Sequence, residues 1–203
     1  RTPINGVMGM LELLQQEDLE AEHKEKVTIA FTSSKILLDV VNEVLDYSKI
    51  EAGKLTIENV EFDLLKLLNE IYHTVENLAK NKGLGLKLDT SAISNQHVKS
   101  DPLRIKQILL NLIGNAVKFT EQGQIIIKAQ QVRKQNTDYL VCSIIDTGVG
   151  ISEDKLASVF ESFQQADSST TRNFGGSGLG LSISKQLSHL LNGNITVESR
   201  LHH

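Results

Sequence analysis

The chain has 203 residues, 40% of them hydrophobic, and a formal net charge of −4. That length allows one domain or two small ones with a real core, and the mildly acidic balance excludes a general affinity for nucleic acid or an anionic membrane surface. No apolar run approaches the roughly 18 residues of a membrane span, and no signal peptide is visible.

From the first residues the pattern is helical, so the chain reads as a piece of a longer protein. Ile4, Val7, Leu11 and Leu14 recur at steps of three and four, one face of a helix. The polar stretch 15–22 permits a turn. A second helical run follows, with Val27, Phe31, Ser34, Leu38, Val41, Leu45 and Ser48 at alternating steps of four and three, a heptad seam. Flanking rows (Ala30, Leu37, Val44 and Ile29, Ile36, Val40) widen the apolar surface beyond what one short helix covers. Pairing with a second copy in a four-helix bundle is the simplest way to bury it, so a homodimer is expected.

The pattern changes near residues 53–62, giving two expected domains, 1–53 and 54–203. Asp63 reads as the cap of a helix running to about Lys82, with Leu64, Leu67, Leu68, Ile71, Val75 and Leu78 on its apolar side. Residues 84–88 alternate as a strand. Asp101-Pro102 is a helix start, acid as cap and proline in the first turn, and this helix runs to about Phe119. Gly123 opens two strands, near 124–132 and 138–146. The single cysteine, Cys142, falls in the second of these, where it reads as a small buried residue and fits a reducing, cytoplasmic compartment. A short helix is expected at 152–160, a polar, glycine-rich loop at 164–177, a helix at 178–191 and a strand at 194–199. The fold class is α+β: a helical hairpin, then an α/β two-layer sandwich with a mixed or antiparallel sheet.

Four short blocks carry the chemistry. They are Asn111-Leu-Ile-Gly-Asn115-Ala-Val-Lys118-Phe119, Asp146-Thr-Gly148-Val-Gly150, Phe160-Glu-Ser-Phe163 and Gly176-Ser177-Gly178-Leu179-Gly180-Leu181. Asn111 and Asn115 are four apart, on one helix face. Their amide oxygens can ligate Mg²⁺, which accepts few protein ligands when phosphates supply the rest, and Lys118 can neutralise phosphate charge. Asp146 ends an apolar strand, where a carboxylate can accept the exocyclic amine of adenine. Glycines ahead of a helix present backbone N–H groups to phosphate. Each block alone has a plain structural reading: two surface asparagines, a strand-ending turn, a glycine hinge. The order and the gaps describe a pocket for a nucleoside triphosphate with magnesium. The GK[ST] of a P-loop is absent, and the glycine run does not follow a strand as a dinucleotide fingerprint must.

With all four blocks placed, the chain resembles the transmitter region of the sensor and hybrid histidine kinases of two-component signalling, over nearly its whole length. Asp101 through Thr120 is similar to the family's N box, Asp146–Gly150 to its G1 box, Phe160–Phe163 to its F box and Gly176–Leu181 to its G2 box. The stretch 163–176 is similar to the lid of hybrid kinases. The resemblance implies a Bergerat-type (GHKL) ATP site. Asn111 and Asn115 would stand at magnesium, Lys118 at phosphate, Phe119 beside adenine and Asp146 on the adenine amine. Gly148, Gly150, Arg172, Gly176, Ser177, Gly178, Leu179 and Gly180 complete the expected nucleotide contacts.

Arg1-Thr2-Pro3 looks like the end of the family's H box. The phosphoacceptor histidine would lie four residues before Thr2, outside this sequence, together with its neighbouring acid. Thr2 would sit one helical turn from that histidine, a position that in the family can orient a water for dephosphorylating a partner. None of the six histidines present has such a motif around it. His23, His73, His97 and His189 read as solvated, and His202 and His203 as native or tag residues. By this resemblance the chain is an ATP-dependent protein-histidine kinase core unable to phosphorylate itself as it stands. Its partner would be a response-regulator receiver domain, and its setting the cytoplasmic portion of a sensor. Two other classes remain. One is an ATPase of the gyrase, Hsp90 or mismatch-repair kind, disfavoured because those families place a glutamate base where Asn111 stands, and an amide cannot abstract a proton from water. The other is a regulatory module that binds ATP and partner kinases without catalysis.

Overall fold

The computed structural model of the protein describes residues 2–162 and 178–201. Arg1, Phe163, Arg172, Gly176, Ser177, His202 and His203, with the rest of the expected lid, lie outside the described residues. The chain forms two compact units, Arg1–Leu55 and Thr56–His203.

The first unit is a helical hairpin, α1 (Thr2–Gln16) and α2 (Ala21–Glu51). Its faces differ from the expected stripes. In α1 the half-buried row is Ile4, Met8, Leu11 and Gln15, while Val7 and Leu14 are exposed. In α2 the seam residues Val27, Phe31, Ser34, Leu38 and Val41 are half-buried, while Ile29, Ile36, Leu37, Val44 and Leu45 are exposed. A helix whose apolar rows are wider than one stripe leaves some of them uncovered when a single partner helix packs against it.

In the second unit, α3 (Leu64–Asn81) begins where Asp63 accepts a hydrogen bond from the Lys66 amide at 2.9 Å. Its buried row is Leu64, Leu67, Leu68, Ile71, Val75 and Ala79. Leu78 was expected on this row but is 56% exposed. After Val75 a step of four reaches Ala79 and keeps to the core-facing line, and Leu78 falls beside it. The next helix, α4 (Pro102–Phe119), begins at Asp101, whose carboxylate accepts from the Arg104 amide at 3.0 Å. The two helices run parallel, because Lys106 pairs with Glu70 near their starts (3.4 Å) and Lys82 reaches the Val117 carbonyl at their ends (2.9 Å).

The main sheet has the order β2-β4-β5, with β2 Gly85–Ala92, β4 Gln124–Lys134 and β5 Thr137–Asp146. β2 pairs parallel to β4 and β4 antiparallel to β5, so the sheet is mixed. Gln135 and Asn136 both adopt positive φ (46° and 70°), the two-residue turn whose twist suits a hairpin. Ile113, Ile125, Ile127, Leu68 and Ile71 lie in one core between helices and sheet. Cys142 packs against that core, and burial pushes its thiol up to about 12, so it is an inert apolar residue.

Three further details depart from expectation. A second ladder pairs β1 (Val60–Asp63) antiparallel with β3 (His97–Ser100), and nothing in the sequence reading anticipated it. The helix expected at 152–160 is short, α5 (Glu153–Leu156). Beyond it the Ser158 and Glu161 amides reach back three residues, to Lys155 and Ser158, so the chain tightens into turns. The strand expected at 194–199 is not one. Burial there does alternate residue by residue, but the segment joins no ladder among the described residues. It follows α6 (Gly180–Leu190), and Ser199 Oγ accepts the Ile151 amide at 2.8 Å, so its end is held by the turn after β5.

Candidate nucleotide site

α4 supplies the backbone of the site. Its inner side, with Ile108, Leu109, Ile113, Ala116 and Val117, is buried, and this fixes the direction in which Asn111, Asn115 and Lys118 point. All three are half-buried and Phe119 is 40% exposed. Asn111 and Phe119 are eight residues apart, about 12 Å along the axis. One helix therefore carries two amides, an ammonium and an aromatic ring in a row of nucleotide length.

At the Asn111 end the partner is α6. Asn111 Nδ2 donates to Ser184 Oγ at 2.8 Å, and Ser184 is only 2% exposed. This bond turns the amide oxygen Oδ1 toward Gly180, where an added Cβ would overlap it, so glycine is required for that approach. Gly178 has φ of +72°, Leu179 is anchored in the core at 1% exposure, and no side chain caps the start of α6. The first turn of an uncapped helix presents N–H groups suited to phosphate.

At the Phe119 end the partner is the turn after β5. Asp146 Oδ1 accepts the Gly148 amide at 2.9 Å, and the Val149 amide donates to the Phe119 carbonyl at 3.4 Å. A Cβ on Gly148 would stand 2.7 Å from both Asp146 Oδ1 and the Phe119 carbonyl oxygen, too close for any other residue. Gly150 has φ of +75°, and its missing side chain leaves room for the Arg200 carbonyl. Thr147 Oγ1 accepts the Gln124 amide (3.1 Å) and donates to the Gln122 carbonyl (3.1 Å), tying the turn to the start of β4.

Lys118 is the charged group between these ends. Partial burial pushes its ammonium below the ordinary lysine value, and its Nζ lies 5.0 Å from the Phe119 ring centroid. Among the described residues no three His, Cys, Asp or Glu side chains gather to hold a metal ion. The oxygen donors at the Asn111 end are neutral amides, which fits a magnesium ion that takes most of its ligands from phosphate and water. Asn111 and Asn115 would hold it.

The structure thus brings Asn111, Asn115, Lys118 and Phe119 together on one helix, with Gly180 at one end and Asp146 and Gly148 at the other. Thr2 is exposed in the other unit. Two residues at the site escaped the sequence reading. Ser184 orients Asn111, and the Lys82 ammonium donates to the carbonyls of Val117 (2.9 Å), Lys118 (2.9 Å) and Thr120 (3.4 Å). Both act across long sequence separations, and no local pattern marks them.

Residues 100–203 match the family described as histidine kinase-, DNA gyrase B-, and HSP90-like ATPase, and residues 1–53 match the His Kinase A (phospho-acceptor) domain. The chain is 43% identical over 199 residues to the autoinducer 2 sensor kinase/phosphatase LuxQ of Vibrio cholerae, covering 98% of this chain and 23% of that protein. It is 39% identical over 201 residues to the signal transduction histidine-protein kinase BarA of Escherichia coli, covering 98% and 22%. The chain therefore spans less than a quarter of the length of these relatives. Among solved structures, full-length ShkA in complex with AMPPNP is similar with a TM-score of 0.78 at 33% identity, covering 98% of this chain and 42% of that one.

Proposed function

The chain belongs to the histidine kinases of two-component signalling, as their transmitter region, and from that premise we propose that it binds ATP along α4 and directs its γ-phosphoryl group to a histidine. The observation that carries this is the single row Asn111, Asn115, Lys118, Phe119, closed at one end by the Asp146 turn and at the other by the start of α6. ATP is the substrate. Asp146 accepts the adenine amine, and Phe119 lies beside the base. Lys118 faces the phosphates, and the amides of the glycine run, including Gly176 and Ser177, receive them with Arg172. A magnesium ion held by Asn111 and Asn115 offsets charge on the triphosphate. The AMPPNP complex of ShkA and the ATPase family match support the nucleotide assignment.

The phosphoacceptor is an imidazole four residues before the Thr2 position, at the α1 end of the hairpin. Catalysis here is mainly positioning and charge stabilisation, since phosphoryl transfer asks little covalent chemistry of the protein. The phosphoryl group then passes to an aspartate of a receiver domain, and Thr2 orients a water that hydrolyses that aspartyl phosphate to free phosphate. The transmitter works as a homodimer through the hairpin, and its setting is cytoplasmic. No helix among the described residues is long and apolar enough to cross a membrane.

The test is base selectivity. Calorimetry with Mg²⁺ is expected to show ADP bound more tightly than GDP, because a carboxylate at Asp146 accepts from the adenine amine and faces the guanine carbonyl. Asp146→Asn is expected to weaken ADP binding by about tenfold or more, the scale of one charge-assisted hydrogen bond. Equal affinity for ADP and GDP in the parent would remove the Asp146 assignment.

A further inference from the structure

Resting on that reading of the site, we propose that Lys82 is a positioning residue for base recognition: it pins the last turn of α4 and thereby sets the Asp146 turn against the helix. Four consecutive carbonyls end α4, and they are divided between two partners. Those of Val117, Lys118 and Thr120 accept from Lys82 Nζ at 2.9, 2.9 and 3.4 Å. The one left over, Phe119, accepts the Val149 amide at 3.4 Å. That same carbonyl lies 2.7 Å from where a Cβ on Gly148 would stand, and the Gly148 amide in turn holds Asp146 Oδ1 at 2.9 Å. A continuous path of contacts runs from the ammonium to the carboxylate that reads the base.

The magnitudes say which end of this path does the holding. The bond from Val149 to Phe119 is long for an amide and contributes little by itself. An ammonium has three donors and no acceptor, and here three carbonyls meet it. Its charge also opposes the negative end of the helix dipole. Carbonyls at a helix end have no partner within the helix, and without Lys82 the last turn is free to fray. Lys118 and Phe119 belong to that turn. Lys82 itself is fixed at the C-cap of α3, where its amide donates to the Ala79 carbonyl at 3.1 Å. The strut therefore runs from one parallel helix to the end of the other.

The experiment measures ADP and GDP dissociation constants with Mg²⁺ by calorimetry, for the parent and for Lys82→Met, Lys82→Arg, Asp146→Asn and the Lys82→Met/Asp146→Asn pair. Urea midpoints are recorded alongside. Lys82→Met is expected to weaken ADP about tenfold and GDP by less, since only ADP also loses the Asp146 contact, so that the adenine preference shrinks. Lys82→Arg, which keeps a cation and several donors, is expected to recover most of it. The double variant is expected to lose less ADP affinity than the sum of the two single losses, because both changes cut one path. Should Lys82→Met not fold, the same comparison is read from Lys82→Gln. ADP and GDP weakened equally, or additive losses in the double variant, would reduce Lys82 to a structural strut and overturn the proposal. A parent with no adenine preference would instead overturn the Asp146 reading, before any Lys82 variant is considered.

Discussion

Lys118 stands where the last turn of α4 meets the row of site residues, and its environment gives a pH signature. Burial holds its ammonium below the ordinary value of 10.5. In the window between the depressed value and 10.5 the unfolded chain therefore binds more protons than the folded one. The stability of the ligand-free domain thus rises with pH through that window. A phosphate group beside the ammonium acts in the opposite sense and favours the charged form. ATP binding is then expected to take up protons when the pH lies in the window, and affinity falls as pH rises through it, by at most about tenfold per unit. Calorimetry in two buffers of different ionisation enthalpy reads the uptake directly. Lys118→Arg, charged at every accessible pH, should flatten the profile. An unchanged profile would place Lys118 away from the phosphates. Asp146, Asn111, Asn115 and the glycines were visible as chemistry in the sequence because their spacing is local. Lys82 and Ser184 were not, since each matters only through a partner more than thirty residues away.

Elements follow the same rule. The starts of α3 and α4 were legible because a cap is a contact between neighbours. Asp63 with Lys66, and Asp101 with Arg104, are three residues apart. Asp101 does more than cap. It is 3% exposed, and its second oxygen accepts the Glu58 amide at 3.0 Å, tying the segment just ahead of β1 to the start of the site helix. Asp101→Ala leaves two backbone donors without their acceptor. A stability loss of about 2–4 kcal/mol is expected, combining a lost cap with a buried amide, and urea denaturation measures it. Asp101→Asn, with one acceptor oxygen, should recover roughly half. A loss below about 0.5 kcal/mol for alanine would show that water replaces the carboxylate at both amides. The β1–β3 ladder was illegible by contrast. Each strand has four residues, and the register joins Val60 to Ser100, a pairing that no window of local sequence contains. Residues 194–199 show the converse. Alternation was real and burial follows it, but alternation records two-sided exposure and not the presence of a pairing strand.

At the scale of the whole molecule the hairpin raises the remaining question, which is what covers its apolar side. The sequence expects the heptad seam and its flanking rows to meet a second copy, and the structure divides that surface. Leu38 and Val41 are half-buried, whereas Leu37 and Val44, seven residues apart, are 53% and 44% exposed. Ile29 and Ile36 form a second exposed row at the same spacing, and Val7, Met10 and Leu13 are exposed on α1. Rows repeating every seven residues are what a supercoiled helical partner requires, and a second copy supplies the same rows in return. Two neighbouring substitutions separate assembly from folding. Leu37→Glu places a charge on the exposed row and is expected to yield monomers with helix content unchanged. Leu38→Glu places it inside the hairpin, at a cost of several kcal/mol, and is expected to lower helix content as well as oligomeric state. Light scattering and circular dichroism at tens of micromolar read the two outcomes. A parent that is dimeric and a Leu37→Glu variant that stays dimeric would move the interface off these rows. The half-buried seam would then have to open and exchange between copies.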